Sequence, residues 1–297
     1  MSVTVRVPAK VNVQLAVGAA RPDGYHDLAN VFLAVGLYDE VTVTAADGLR
    51  VTCAGPDAEQ VPLDRTNLAA RAALLLAERY GRDADVHLHI AKDIPVAGGM
   101  AGGSADGAGA LLACDALWGT GASREELLDI CAELGSDVPF SLVGGAALGT
   151  GRGERLTELE VGGAFHWVFA MASRGLSTPA VFREFDRLGE GREIPEPVAS
   201  RELLDALAKG DADALAATVS NDLQPAALSL FPELADTLAA GRAAGAPVSL
   251  VSGSGPTTAF LARDAEAAEE IAGALRASGT CRTVRTAAGP VPGATVV

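Results

Sequence analysis

Pro95-Val96-Ala97-Gly98-Gly99-Met100-Ala101-Gly102-Gly103-Ser104-Ala105 puts four glycines into six residues and then offers a small polar side chain. Behind it Ala108, Leu111, Leu112 and Ala116 recur at helical spacing. The layout is a glycine-rich loop feeding a helix N-terminus. The first turn of a helix carries unpaired N–H groups and a partial positive charge. Glycine lets the main chain come close to a ligand without a Cβ in the way. The stretch therefore reads as an anion site, best suited to polyphosphate. Ser104 can cap the helix, contact a phosphate or help hold Mg²⁺. No Gly-Lys-Ser/Thr follows, so the loop is not a Walker A, and the spacing of the dinucleotide fingerprint is absent.

Composition narrows the setting. The 297 residues suit one large domain or two intimate lobes, and an apolar content of 49% is ample for a core. No apolar run reaches the length of a membrane span. The chain opens as a strand, with no secretory leader in sight. Cys53, Cys114, Cys131 and Cys281 are scattered without a C-x-x-C, as free thiols of a cytoplasmic protein would be. A net charge of −15 argues against nucleic acid or an anionic membrane as partner. An acidic chain that handles an anionic ligand must concentrate positive potential locally. Only three of its 23 basic residues are lysines: Lys10, Lys92 and Lys209. A compact, movable ammonium is a different tool from an arginine fork.

Val3, Val5 and Val7 alternate as in a strand, and Val13, Leu15 and Val17 alternate again. Between them, Pro8-Ala9-Lys10-Val11-Asn12 places Lys10 and Asn12 on one face. The two are either solvated or contact a phosphoryl group and a hydroxyl. Arg21-Pro22-Asp23-Gly24-Tyr25-His26 is a turn ending in two flat side chains, which can stack on a base or simply decorate a hairpin tip. Asp64-Arg65-Thr66-Asn67 precedes a helix from Leu68 to Tyr80, with Thr66 or Asn67 as its cap. His87 and His89 share the outer face of a half-buried strand. The helix after the glycine loop is expected from about Ser104 to Trp118, and Ser123 to Glu126 is a capping box for the next. Pro139 suits a first helical turn, with Asp137 at its N-terminal end, either as a plain cap or as a carboxylate aimed at a hydroxyl. The second half alternates strands and helices. Ser252-Gly253-Ser254-Gly255-Pro256 links two strands as a hairpin or as a second phosphate-facing loop. Pro290 to Val297 reads as a loose tail.

Pro8 to Asn12, Gly98 to Ala105 and Ser252 to Pro256, in that order, resemble the GHMP kinase superfamily, whose members phosphorylate small-molecule alcohols with ATP. Arg21 to His26 and Gly135-Ser136-Asp137-Val138-Pro139-Phe140 are similar to the branch that acts on a cytidine diphosphate-linked methylerythritol, at its 2-hydroxyl, in isoprenoid precursor biosynthesis. The resemblance spans nearly the whole chain. It implies an α+β two-lobe fold, with a ribosomal protein S5 domain 2-like lobe over residues 1–153 and a ferredoxin-like lobe over 154–297. It implies Asp137 as catalytic base and Lys10 as its partner. ATP would lie on Pro95, Val96, Ala97, Gly98, Gly99, Met100, Ala101, Gly102, Gly103, Ser104 and Ala105, with Asn67, Leu68 and Lys92 near the adenine. Tyr25, His26 and Phe182 would surround the cytosine. Asn12, Thr178, Gly253, Ser254 and Gly255 would face the rest of the acceptor. Mg²⁺ is implied with ATP, with Ser104 as the one candidate protein ligand. A monomer or weak homodimer in the cytoplasm is expected. Other readings are a homoserine or mevalonate kinase, and a catalytically silent nucleotide-binding regulator.

Overall fold

The computed structural model describes residues 1–96 and 98–297. Two long strands, β1 (Ser2–Ala20) and β2 (His26–Ala45), form an antiparallel hairpin through the turn that contains Gly24. Pro8 does not end β1. It sits at a register shift between Pro8 and Ala9, where the ladder does not need its missing N–H. β3 (Arg50–Ala54) runs parallel to β4 (Val86–Ala91), and the crossover carries α1 (Leu68–Arg79), capped by Asn67 and not by Thr66.

Next come α2 (Gly102–Trp118), α3 (Arg124–Leu134), α4 (Val138–Val143), β5 (Ala146–Thr150) and β6 (Arg155–Glu158). The small residues of α2 let it lie directly on the sheet. A Cβ at Gly109 would stand 2.9 Å from Val7 and 3.0 Å from Val41. The chain continues through β7 (Phe165–Met171), α5 (Thr178–Gly189), α6 (Arg201–Lys209), α7 (Ala212–Thr218) and β8 (Ser220–Asn221). It closes with α8 (Gln224–Leu230), α9 (Leu234–Ala243), β9 (Val248–Val251), β10 (Thr258–Ala262), α10 (Ala265–Ser278), β11 (Thr283–Gly289) and β12 (Thr295–Val296).

The first sheet runs β12-β1-β2-β4-β3, with β5 and β6 continuing from β2 and β8 lying along β1. The second is antiparallel, in the order β11-β7-β10-β9. Counting only its own strands, that order is fourth, first, third, second, with helices in the two crossovers, which is the ferredoxin-like arrangement. A division at 153/154 follows these sheets except that β6, β8 and β12 lie beyond it in sequence and join the first one.

One core serves both sheets. On β7, Phe165, Trp167, Phe169 and Met171 join the large cluster around Val5, Val41 and Leu88, while Val168 and Ala170 face the cluster under α9 and α10. A strand buried on both faces reads as an unbroken apolar run, as Trp167 to Met171 does. The four cysteines are free, and burial pushes the Cys114 and Cys131 thiols up to about 12.

The expectation of a loose tail fails. Gly145 N–H donates to Val291 O (2.8 Å), Ala294 N–H to Ser141 O (3.1 Å), and β12 pairs with Val5 and Arg6 of β1. The apolar and glycine residues of 289–297 gave no period to read, yet Gly293 fits flat against Leu142 to Gly144. Among the described residues no helix is long and apolar enough to cross a membrane.

Candidate active site

Helix α2 starts two residues before Ser104. Its cap is Ala101, held at φ +62°, a left-handed conformation that costs an L-residue about 1–2 kcal/mol. An alanine offers no side-chain acceptor, and Ser104 lies inside the first turn and caps nothing. The first helical hydrogen bond is Ala105 N–H to Ala101 O, 2.8 Å. Among the described residues, the N–H groups of Gly102, Gly103 and Ser104 thus keep no main-chain partner. All three residues line a cleft of about 630 Å³. An uncapped helix start on a cavity wall is an anion site with the local strain such clamps carry.

Lys10 connects this loop to the rest of the cleft. Its Nζ donates to Asn12 Oδ1 (2.7 Å) and to Gly99 O (2.9 Å), and stands 3.6 Å from Asp137 Oδ2. Its main-chain N–H also reaches Met100 O, 3.3 Å. Burial pulls the Lys10 ammonium below its ordinary 10.5, and the Asp137 carboxylate offsets part of that fall. Asn12 Nδ2 in turn donates to Asn30 Oδ1, 2.7 Å, which orients its amide. Asp137 occupies the N-cap of α4 but its side chain bonds none of the helix amides. Among the described residues it therefore caps no helix amide, and its carboxylate, a third exposed, lines the cleft.

The 252–256 turn closes on the same group. Ser252 Oγ donates to Gly99 O at 3.2 Å, and Asn221 holds the turn through Val251 O and Gly253 O, both 2.7 Å. Ser254 Oγ lies 2.8 Å from Thr178 Oγ1 at the start of α5. At the far end the His26 ring lies 4.9 Å from Phe182, tilted by 32°. Tyr25 is half-exposed there, with the Arg152 guanidinium 5.1 Å from its ring centre.

The cleft gathers Lys10, Asn12, Tyr25, His26, Leu68, Gly98, Gly99, Ala101, Gly102, Gly103, Ser104, Asp137, Thr178, Phe182, Gly253 and Ser254 from the sequence-based set. Others stand apart. Met100 and Ala105 are buried in the core, and Pro95, Val96 and Gly255 do not line the cleft. Ala97 lies outside the described residues. Asn67 spends its amide on Ala69 N–H and Pro62 O. Lys92 is buried beneath the loop, with Asp39 Oδ2 at 2.5 Å and Asp106 Oδ2 at 2.8 Å. Burial alone would lower its pKa, but the two carboxylates outweigh it and raise it. Asp106, with one oxygen unpartnered, is pushed up to about 8 by burial.

Sequence reading missed Asn30, Ser136, Arg152, Arg183 and Asp186, which also line the cleft. Asp186 carried a signal, because it stands one helical turn after Phe182 on the same face. Asn30 carried a weaker one, as an amide in the apolar run of β2.

For Mg²⁺, the described residues hold no group of three His, Cys, Asp or Glu side chains. That fits an ion carried mainly by substrate phosphates and water, with one or two protein oxygens. Ser104, which lines the cleft, carries one oxygen of that kind.

Residues 67–145 match the GHMP kinases N terminal domain, and residues 203–281 match the GHMP kinases C terminal domain. The 4-diphosphocytidyl-2-C-methyl-D-erythritol kinase of Streptomyces coelicolor is 85% identical over the full length of both chains. A crystal structure of 4-(cytidine 5′-diphospho)-2C-methyl-D-erythritol kinase superposes with a TM-score of 0.76 at 35% identity, covering 96% of this chain and 98% of the other. Homoserine kinase from Cytophaga hutchinsonii reaches a TM-score of 0.77 over 100% and 97% of the two chains at 21% identity, which speaks to the fold alone. Glycine loop, ammonium and carboxylate thus stand in a chain that belongs to the GHMP kinases, in the branch of the 4-diphosphocytidyl-2-C-methyl-D-erythritol kinases.

Proposed function

We propose that this chain transfers the γ-phosphoryl group of ATP to the 2-hydroxyl of 4-diphosphocytidyl-2-C-methyl-D-erythritol. One observation carries the assignment of roles: a single buried ammonium, Lys10, touches the phosphate loop through Gly99, the acceptor side through Asn12, and the carboxylate of Asp137.

The transfer forms a bond from the acceptor oxygen to the γ-phosphorus and breaks the bond to the bridging oxygen of ADP. Such steps depend mostly on positioning and on stabilising charge spread over the phosphoryl oxygens. The free N–H groups of Gly102, Gly103 and Ser104 hold the phosphates. Lys10 balances the negative charge of the transferring group and keeps Asp137 oriented. Asp137 accepts the hydroxyl proton. When bound with ATP, Mg²⁺ would supply further charge neutralisation on the phosphates, and Ser104 would be the protein oxygen to help hold it. Leu68 offers an apolar wall near the nucleotide, and Tyr25, His26 and Phe182 receive the cytosine. The lobes divide near residue 153, and the cleft opens between them.

Phosphorus NMR of the product tests the reading. ATP with the cytidylyl acceptor should yield ADP and a new phosphomonoester. Equal turnover of homoserine or mevalonate, or no turnover at all, would refute it.

A further inference from the structure

Asp186 Oδ1 lies 2.8 Å from His26 Nε2. The two belong to different halves of the molecule: His26 opens β2 in the first sheet, and Asp186 sits on α5 across the cleft. The His26 side chain is 5% exposed and that of Asp186 41%. Phe182 covers one side of the imidazole, and Phe185 meets it edge-on at 5.9 Å and 81°. The neighbouring carboxylate, Glu184, points elsewhere and is held by Arg187 and Ser229. Nothing else on α5 competes for the ring.

A carboxylate only accepts hydrogen bonds, so the hydrogen on Nε2 is fixed there. Nδ1 is left without a protein partner among the described residues, and in the neutral ring it holds a lone pair. We infer that Asp186 is a positioning residue that sets which base the cleft takes. By locking the Nε2–H form, it makes Nδ1 an acceptor for the exocyclic amino group of cytosine. Uracil carries a carbonyl oxygen at that position and would set lone pair against lone pair. This rests on the assignment of Tyr25, His26 and Phe182 to the base.

Calorimetry with cytidine 5′-diphosphate and uridine 5′-diphosphate tests it, beside turnover of the full acceptor. Asp186→Ala frees the ring to flip tautomer, and its preference for the cytidine compound should fall by about tenfold, the net worth of one neutral hydrogen bond. Its acceptor KM should rise while kcat stays near wild type, because Lys10 and Asp137 are untouched. Asp186→Asn, whose amide N–H can donate to Nε2, should bring the uridine compound level with the cytidine one. A wild-type preference kept in both variants overturns the role of Asp186 alone. Parallel loss of both ligands, kcat and Tm would mark Asp186 as merely structural and overturn it as well. Equal binding of the two bases by the wild-type protein would refute the base assignment beneath it.

Discussion

Lys10 Nζ and Asp137 Oδ2 stand 3.6 Å apart, the ammonium almost sealed and the carboxylate a third exposed. The exposed partner is the one that can meet an incoming hydroxyl. Asp137→Asn keeps the shape and removes the base. Turnover should fall by about 10²–10⁴, the usual contribution of general-base help. ATP affinity by calorimetry should stay close to wild type. Near-normal turnover would remove Asp137 from the chemistry.

Lys10 titrates below an ordinary lysine because it is buried, despite Asp137. Turnover that needs the ammonium should therefore decline on the alkaline side at a pH below 10.5. Lys10→Arg stays charged, so this limb should vanish from its pH–rate profile, at a lower overall rate. The sign for stability follows from the same shift. Between the folded pKa and 10.5 the unfolded chain binds more protons, so the Lys10 share of stability rises with pH across that window. Lys10→Met should flatten that rise in denaturant titrations.

Gly103 and Gly99 separate ligand space from protein space. A Cβ at Gly103 would meet only Leu68, at 3.9 Å, whereas one at Gly99 (φ +75°) would overlap Ser252 O. Gly103→Ala should fold normally and gain up to about 0.5–1 kcal/mol from helix propensity, yet bind ATP more weakly. Gly99→Ala should lose stability and nucleotide together. Matched thermal melts and ATP titrations check both, and unchanged ATP affinity in Gly103→Ala would move the phosphates off the helix start.

Lys92 distinguishes a buried strut from a nucleotide contact. Lys92→Met strands Asp39 and Asp106 without their shared cation, a change of about 3–5 kcal/mol. Chemical denaturation should show that loss, and the ATP KM of the folded fraction should change little. A KM effect with no stability loss would restore the adenine reading.

Gly144 and Gly293 clasp the end of α4. A Cβ at Gly293 would overlap Leu142 O. Gly293→Ala should lower Tm by a few degrees, at about 2–4 °C per kcal/mol in a chain of this size. It should also cost more in kcat than in ligand affinity, because α4 carries Asp137. An unchanged kcat would show that the clasp does not set the carboxylate.

The glycine loop, the strand carrying Lys10 and Asn12, and the Tyr25-His26 turn were legible because each depends on local chain geometry. Asp137 was legible in position but ambiguous in role, since a cap and a base share one sequence pattern. The missing hydrogen bond to α4 speaks against the cap, and the base role rests on the proposed reaction. Lys92 was hard to read for the opposite reason. Its partners, Asp39 and Asp106, lie 53 and 14 residues away, and nothing local announces a buried triad. Arg152 and Asn30 reach the cleft through sheet register, which emerges only once β5 is paired to β2. Helix α8 went unseen because Pro225 and a short apolar run hide its period.

The pairing of β12 with β1 joins the two extremes of this chain, Val296 beside Val5. A fragment ending at residue 153 would leave that edge of β1 raw, an invitation to self-association. The contact also spans almost the whole sequence, so its loop closure comes late and rewards folding only when both halves are present. The lobes should consequently melt in a single cooperative transition, and separately made halves should regain phosphotransfer only when mixed.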